Sequence, residues 1–168
     1  TDESAVSPVI GVVLMVAITV LLAATAATFF LGIGQDNSNS TPQVATSFDY
    51  EADTTTTDGT SHVDDSITVS HNSGDTVEAK NLDIVVSGAG KYFENNDSTV
   101  GLNNRYQWDD FDGVDPDDKV SGGDAVTLQA GSEPLPAPDG LNLDGATVKL
   151  VWDDPGSSST FTLNTWQD

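Results

Sequence analysis

The chain has 168 residues, which is enough for one compact domain and one appended segment. Its 27 acidic residues, 22 of them Asp, outnumber five basic ones, and the resulting formal charge of −22 argues against nucleic acid as a partner, because this field repels phosphate. The absence of cysteine excludes disulfides, thiolate metal sites and thiol nucleophiles.

The charge is distributed unevenly along the chain. After Glu3 no ionisable side chain occurs until Asp36, whereas all five bases and 25 of the acids follow. We therefore predict a hydrophobic N-terminal helix in residues 1–34, a polar linker in residues 35–43 and an acidic head in residues 44–168.

The run from Val9 to Leu31 is apolar on every side, which excludes an amphipathic surface helix. A helix from Val6 to Ile33 would be about 40 Å long, more than the roughly 30 Å hydrocarbon core of a bilayer. The rest of the chain is too small to enclose this helix, so we expect lipid or copies of the same helix to cover it. A secretory signal would begin with a basic segment, whereas this chain opens with acids, and we expect Thr1 to begin a processed chain.

Residues 7–20, SPVIGVVLMVAITV, closely resemble the N-terminal segment of archaeal type IV pilins, especially those of haloarchaea. Weaker likenesses to haloarchaeal pilin heads lie in residues 67–77 and 151–166. The resemblance implies a precursor inserted in the membrane, cut by a prepilin peptidase and assembled by the pilus machinery into a helical homo-oligomeric filament. The acidic composition also resembles that of proteins from halophilic archaea. At about 1 M salt the Debye length is roughly 3 Å, so the repulsion between the many carboxylates is largely screened. We expect low salt to loosen the head, as a loss of its β signal in circular dichroism.

The helix carries the positions that we assign to polymerisation. Small residues at a four-residue spacing let helix backbones approach closely in apolar surroundings. The assigned positions are Pro8, Gly11, Met15, Thr19, Ala23 and Ala27, of which bulky Met15 interrupts the small row. Pro8 suits the first turns of a helix, where its missing N–H matters little.

An N-terminal charge contact is a further expectation from the resemblance. It pairs the Glu3 carboxylate with the free amine of Thr1 on a neighbouring subunit. The alternative is an acid placed near a helix N-terminus, which the helix dipole favours by about 0.3–1 kcal/mol.

Beyond the linker the hydrophobic period changes from helical to two. The alternating segments, each read as a strand, are Val44–Tyr50, Ile67–His71, Val77–Ala79 with Leu82–Val86, Val126–Leu128, Val148–Trp152 and Phe161–Leu163. No amphipathic helical pattern interrupts them, so the strands should be largely antiparallel. We predict a mainly β protein with a long N-terminal α-helix: an antiparallel β-sandwich head of about seven or eight strands, in the immunoglobulin-like size range, on a hydrophobic helical stalk. Val148–Trp152 and Thr160–Trp166 should form its last hairpin.

The head contains few groups suited to catalysis. It has no nucleophile elbow, zinc-protease motif or phosphate-binding loop, so we do not expect an enzyme. His62 and His71 flank Asp64 and Asp65, which leaves open either a metal or general-base role or an ordinary position at a strand edge. Residues 109–118 form an acidic run without EF-hand spacing.

That acidic run is the candidate Ca²⁺ site, through Asp110, Asp112 and Asp115, and its alternative is a solvated loop. No other cofactor is expected. Two N-glycosylation sequons occur, at Asn39 and Asn96, both in polar, turn-like stretches.

Together these features predict the mature subunit of an archaeal type IV adhesion pilus, anchored in the plasma membrane before assembly and extracellular afterwards. Surface attachment, cell–cell contact and biofilm formation are the roles that the resemblance implies. The alternatives are an archaellin of a swimming filament, although archaellins usually lack the SPVIG sequence, and an extracellular binding or sensor domain on a permanent membrane anchor. A secreted enzyme is a further alternative, which the lack of a nucleophile–base constellation disfavours.

Overall fold

The computed structural model describes residues 6–33, 40–57 and 59–168 and divides the chain into two compact units. The first unit contains helix α1, Val6–Ile33. Its bounds are those predicted, because nothing polar enough to break the apolar run occurs before Gly34, a residue type that commonly follows a helix C-terminus.

The second unit is built from β-strands. Its described residues form β1 Val44–Glu51, β2 Thr54–Thr57, β3 Thr60–Val63, β4 Ser66–Gly74, β5 Val77–Glu78, β6 Leu82–Phe93, β7 Ser98–Gln107, β8 Lys119–Val120, β9 Ala125–Leu128, β10 Gly140–Asn142, β11 Thr147–Asp153 and β12 Thr160–Gln167. Three short 3-10 helices lie between them, Ala79–Asn81, Glu94–Asn96 and Trp108–Asp110. The predicted mainly β head is confirmed.

All strand pairs in the described part of the head are antiparallel, as predicted. One sheet has the order β1-β4-β9. In the other, long β6 pairs with β7 along one edge, while its second edge is shared by β11 and β10, and β12 lies outside β11. Strands β2 and β3 form one two-stranded ribbon, and β5 and β8 form another. The β11–β12 pairing confirms the predicted last hairpin.

The core lies between the two sheets, where alternate side chains of each point inward. On β6 and β11 the register places Leu82, Ile84 and Val86 opposite Trp152, Leu150 and Val148, all of them buried. Ile67 and Val69 of β4 and Leu128 of β9 belong to the same hydrophobic cluster. Trp108 and Phe111, which follow β7, are also buried in it.

The predicted strand count was too low, and Ala79 is not in a strand but begins a 3-10 helix. Five strands were missed because they lack a period of two. Strand β2 is four consecutive threonines, β5's partner β8 has two residues and β10 has three. Edge strand β7 buries only Leu102 and Tyr106, four residues apart, so its sequence does not alternate.

The chain enters the head at Gln43, which is held by two hydrogen bonds. Its N–H donates to Asp75 Oδ2 at 2.8 Å, and its carbonyl accepts from the Asp75 N–H at 2.9 Å. Gly74 lies against this junction with φ +113°, and a Cβ there would sit 2.1 Å from the Gln43 carbonyl oxygen. Only glycine fits both constraints, so the start of β1 is fixed to the end of β4.

Candidate functional site

Helix α1 exposes an apolar surface in every direction. Residues Val9–Ala27 have a mean hydropathy of 2.7 over 19 residues, long and apolar enough to cross a membrane. Large side chains along this segment are more than half exposed within their own unit, with Met15 at 69% and Leu21 at 66%. A surface of this kind is stable only in lipid or against other apolar surfaces.

Two described hydroxyl groups of α1, those of Thr19 and Thr25, are bonded within the helix. Thr19 Oγ1 donates to the Val16 carbonyl at 2.9 Å, and Thr25 Oγ1 donates to the Leu22 carbonyl at 3.0 Å. Because a hydroxyl without a hydrogen-bond partner is costly in an apolar medium, these internal bonds allow the helix to reside in lipid.

The positions assigned to polymerisation lie along one row of α1. Each four-residue step advances the helix by slightly more than one turn, so between Gly11 and Ala27 the row winds nearly halfway round the axis, by about 160°. Gly11 leaves a notch, since a Cβ built there would meet nothing within 4 Å, and Ala23 and Ala27 are exposed. Pro8 is the third residue of the helix. Thr1 and Glu3 lie outside the described residues, so their predicted contact has no geometry here.

An exposed apolar helix of membrane-spanning length, followed by a separate β-rich unit, places this chain among proteins that insert one N-terminal helix in lipid or pack it against other helices. More specifically, residues 4–46 match the family model described as the archaeal type IV pilin N-terminal domain. That match confirms the resemblance inferred from the sequence over α1 and the start of β1. It supports a pilin-like structural subunit that is membrane-anchored through this helix.

One relative also matches part of the chain. It is an uncharacterised protein of Archaeoglobus fulgidus, 40% identical over 87 residues. The match covers 52% of this chain and 55% of the relative, so the chain spans about half the length of the curated relative that it matches.

Both histidines of the head are buried, with exposures of 7% for His62 on β3 and 2% for His71 on β4. His62 Nε2 donates to the Asp139 carbonyl and His71 Nε2 to the Asp75 carbonyl, each at 2.9 Å. Because a carbonyl only accepts, Nε2 carries the proton in both rings. Their observed contacts are those of structural residues.

The acidic run uses its carboxylates to close turns. Asp110 Oδ2 accepts the Gln107 N–H at 2.8 Å, and Asp118 Oδ2 accepts the Asp115 N–H at 2.8 Å. Asp112 is exposed beside Gly113. Within the described ranges of the chain no group of three or more His, Asp or Glu side chains is arranged to hold a metal ion. The fold therefore does not gather Asp110, Asp112 and Asp115 around a common point.

Of the two sequons, Asn39 lies outside the described residues. Asn96 is exposed at the end of the 3-10 helix that connects β6 to β7. The Ser98 hydroxyl donates to Asn96 Oδ1 at 2.6 Å across Asp97, which has φ 45°. The sequon thus lies on an accessible turn.

Three of the five basic residues sit in two ion-pair clusters that sequence reasoning did not find. Arg105 of β7 pairs with Asp83 of β6 and, at 2.6 Å, with Asp153 of β11, so one guanidinium crosses three strands. Asp83 is only 2% exposed. Burial raises the pKa of its carboxyl while Arg105 opposes that rise, and the hydrogen bond to Asp83 raises the pKa of Arg105.

The second cluster joins the β5–β8 ribbon to the acidic run. Glu78 lies 2.5 Å from Lys119 Nζ and 3.4 Å from Lys80 Nζ, and Lys80 also contacts Asp117 at 2.7 Å. Hydrogen bonds from Lys119 and then Lys80 lower the pKa of Glu78 below 4.5, and Lys80 lowers that of Asp117. Lys80, Lys119 and Asp117 are exposed and the Glu78 side chain is 35% exposed, so we expect high salt to weaken the effect.

We expect Lys119→Met to raise the pKa of Glu78 toward 4.5, because the largest cause of its depression is lost. Because the pKa of Glu78 is lower in the folded chain, its ionised carboxylate stabilises the fold fully above pH 4.5. This stabilisation is lost as the pH falls through the lowered pKa. Side-chain carboxyl NMR titration measures the change, with Lys91→Met as the control. An unchanged Glu78 titration in Lys119→Met would contradict the assignment.

Proposed function

We propose that the chain is the structural subunit of an archaeal type IV adhesion pilus and polymerises through α1. The observation that carries this proposal is an exposed, uncharged helix inside the segment that matches the pilin family model. Surface attachment, cell–cell contact and biofilm formation are the proposed roles of the filament. An extracellular filament also suits the −22 charge, since a strongly acidic surface keeps protein hydrated in concentrated salt.

The proposed route begins in the plasma membrane and ends outside the cell. A prepilin peptidase and the pilus assembly machinery are the proposed partners along it, and further copies of the chain are the final ones. In lipid the helix gains little by meeting another helix, because lipid tails are as apolar as its own side chains, so close packing decides association. In water, burying on the order of 2,000 Å² of apolar surface would contribute about 50 kcal/mol, so a finished filament should not dissociate.

Gly11→Leu tests the packing step. The added side chain fills the notch on the small-residue row and holds neighbouring backbones apart, so we expect at least a tenfold loss of sheared filament. Membrane-bound precursor should remain at its normal level, because leucine is as lipid-compatible as the rest of the helix. Both quantities are measured by immunoblotting of sheared and membrane fractions.

Val13→Leu is the matched control for Gly11→Leu, since it enlarges an exposed apolar side chain two positions away without filling a notch. It should leave the filament yield within twofold of normal. Equal yields from Gly11→Leu and the unmodified chain would show that this row does not form the helix contacts.

We also propose that Asn96 carries an N-linked glycan, because its sequon is exposed at the turn after β6. Subunits from native filaments should exceed the polypeptide mass, and Ser98→Ala should remove one glycan mass. Ser87→Ala, which changes an exposed serine of β6, should keep the full mass. A mass difference between the native subunit and Ser98→Ala equal only to the one oxygen atom lost in the substitution would end the proposal for this site.

A further inference from the structure

A pocket of about 260 Å³ lies where β3, β6, β7 and β10 meet. We call it the Tyr92 pocket, and its lining residues are Ser61, His62, Val63, Tyr92, Thr99 and Asn142. No carboxylate, lysine or arginine is among these lining residues, and His62 is the one histidine. Three other pockets of the described head are each lined by at least two acids, for example Asp53 and Asp64 in one and Asp118 and Asp124 in another. The Tyr92 pocket therefore differs from these three in having no acidic side chain in its lining.

The aromatic wall of the pocket is fixed in place by the protein itself. The rings of His62 and Tyr92 stack with centroids 4.5 Å apart and planes inclined by 21°. The Tyr92 hydroxyl donates to Asp97 Oδ1 at 3.0 Å, and His62 is tied to the Asp139 carbonyl. At Gly140 a Cβ would lie 2.6 Å from His62 Cδ2, so glycine there lets the ring lie against β10. A wall that is ordered before binding lowers the entropic cost of recognition.

The remaining walls offer hydrogen-bonding groups and an apolar patch. Asn142 Oδ1 accepts the Asp144 N–H at 2.8 Å, which orients the carboxamide. Among the residues that the structure describes, no partner takes up Asn142 Nδ2 or the Thr99 hydroxyl, so both are available to a ligand. The Ser61 hydroxyl is shared with Thr56 at 2.9 Å. Val63, which is 39% exposed, adds an apolar edge.

We propose that the Tyr92 pocket binds an uncharged sugar ring. The lining supplies no carboxylate, lysine or arginine to pair with an ionic ligand, and the −22 field of the chain further disfavours anions. A pyranose combines hydroxyls for Asn142 and Thr99 with an apolar C–H face for Tyr92 and Val63. The volume lies below the roughly 300–1,000 Å³ typical of drug-sized ligands, so the pocket suits a single ring. This inference goes beyond the structural role and does not depend on polymerisation.

The test uses the full, unglycosylated chain as unassembled protein, in an amine-oxide detergent without sugar headgroups and in high salt. Neutral methyl hexosides are titrated in, and binding is followed by saturation-transfer NMR and by the Asn142 side-chain amide resonance. We expect saturation by at least one hexoside, with a dissociation constant of about 1 mM. Failure of filament assembly would leave this assay unaffected, so the two proposals fail separately.

Two variants locate the site. Asn142→Asp keeps the acceptor for the Asp144 N–H but removes the donor and adds charge, and Thr99→Val removes one hydroxyl at constant shape. Each should weaken binding at least tenfold. Thr162→Val, on an exposed position of β12, should bind normally, and circular dichroism verifies that all three variants fold. Absence of saturable binding for every hexoside, or equal affinity in Asn142→Asp and the unmodified chain, would overturn the proposal.

A sugar of this class could come from two sources: from another surface that the filament touches, or from the chain's own proposed glycan at Asn96. Asn96 lies between β6 and β7, the strands that carry Tyr92 and Thr99 of the pocket. Native filaments and Ser98→Ala filaments separate them. If the Asn96 glycan fills the pocket, added hexoside binds only the Ser98→Ala filaments. If the sugar comes from elsewhere, both kinds of filament bind it.

Discussion

Replacing Ile18 with Asp should abolish filaments and release the chain from the membrane. Ile18 lies at the middle of the apolar segment Val9–Ala27 and is 56% exposed within its own unit. A carboxylate at the centre of a membrane helix costs about 2.5–3.5 kcal/mol on insertion scales, which corresponds to roughly a hundredfold shift in partitioning. The same charge would be buried without a partner in a helical filament core.

Membrane flotation and yields of sheared filament measure the two effects of Ile18→Asp. Ile18→Leu keeps the apolar character and should behave as the unmodified chain does. Normal filament yields from Ile18→Asp would mean that α1 is not the segment through which the subunits associate.

Replacing Arg105 with Met should destabilise the head by about 2–4 kcal/mol. The loss leaves the 2% exposed Asp83 carboxylate without its cation, and an uncompensated buried charge costs several kcal/mol. We place the value below that of a fully enclosed pair because the Arg105 side chain is 43% exposed. All three tryptophans lie in the head, so near-ultraviolet circular dichroism during thermal unfolding reports on this unit.

A double-mutant cycle distinguishes the ion pair from a general effect of removing charge. Adding Asp83→Leu to Arg105→Met should recover most of the lost stability, since the orphaned charge is gone. Lys149→Met removes an exposed base from neighbouring β11 and should change stability by less than about 0.5 kcal/mol. Equal losses in Arg105→Met and Lys149→Met would show that the three-strand pairing contributes nothing specific.

The sequence was sufficient to predict the parts of the fold that depend on local pattern. The unbroken apolar run from Val9 to Leu31 predicts α1 without information from the rest of the fold. Strands β1 and β4 were recognised because more and less buried residues alternate along them, which gives the sequence a period of two. Strands β6 and β11 bury residues on both faces, with Asp83 of β6 and Val151 of β11 buried on the second face, and were recognised by their alternating apolar residues alone. Strand β7 was not predicted, because an edge strand tolerates polar residues and glycine and its sequence therefore lacks alternation.

The candidate sites also divide into those set by local sequence spacing and those assembled from distant strands. The small-residue row of α1 could be predicted because helix geometry places residues four apart next to each other, so the spacing alone gives a winding row. By contrast, the Arg105 cluster and the Tyr92 pocket unite residues from three or four strands, and only the β-sheet register brings these together. The spacing of Asp110, Asp112 and Asp115 predicted a shared cation site, but the fold does not bring the three carboxylates together. Instead, Asp110 accepts the Gln107 N–H and the neighbouring Asp118 accepts the Asp115 N–H.

Electron cryomicroscopy of filaments sheared from cells, with the subunit identified by mass, examines polymerisation through α1 most directly. We expect fibres whose central density is a bundle of helices about 40 Å long, with Gly11 facing a neighbouring helix and the β-rich heads outside. Recovery of the chain only as a single particle stable in water, or only from detergent-extracted membranes with no fibres in the sheared fraction, would contradict the account.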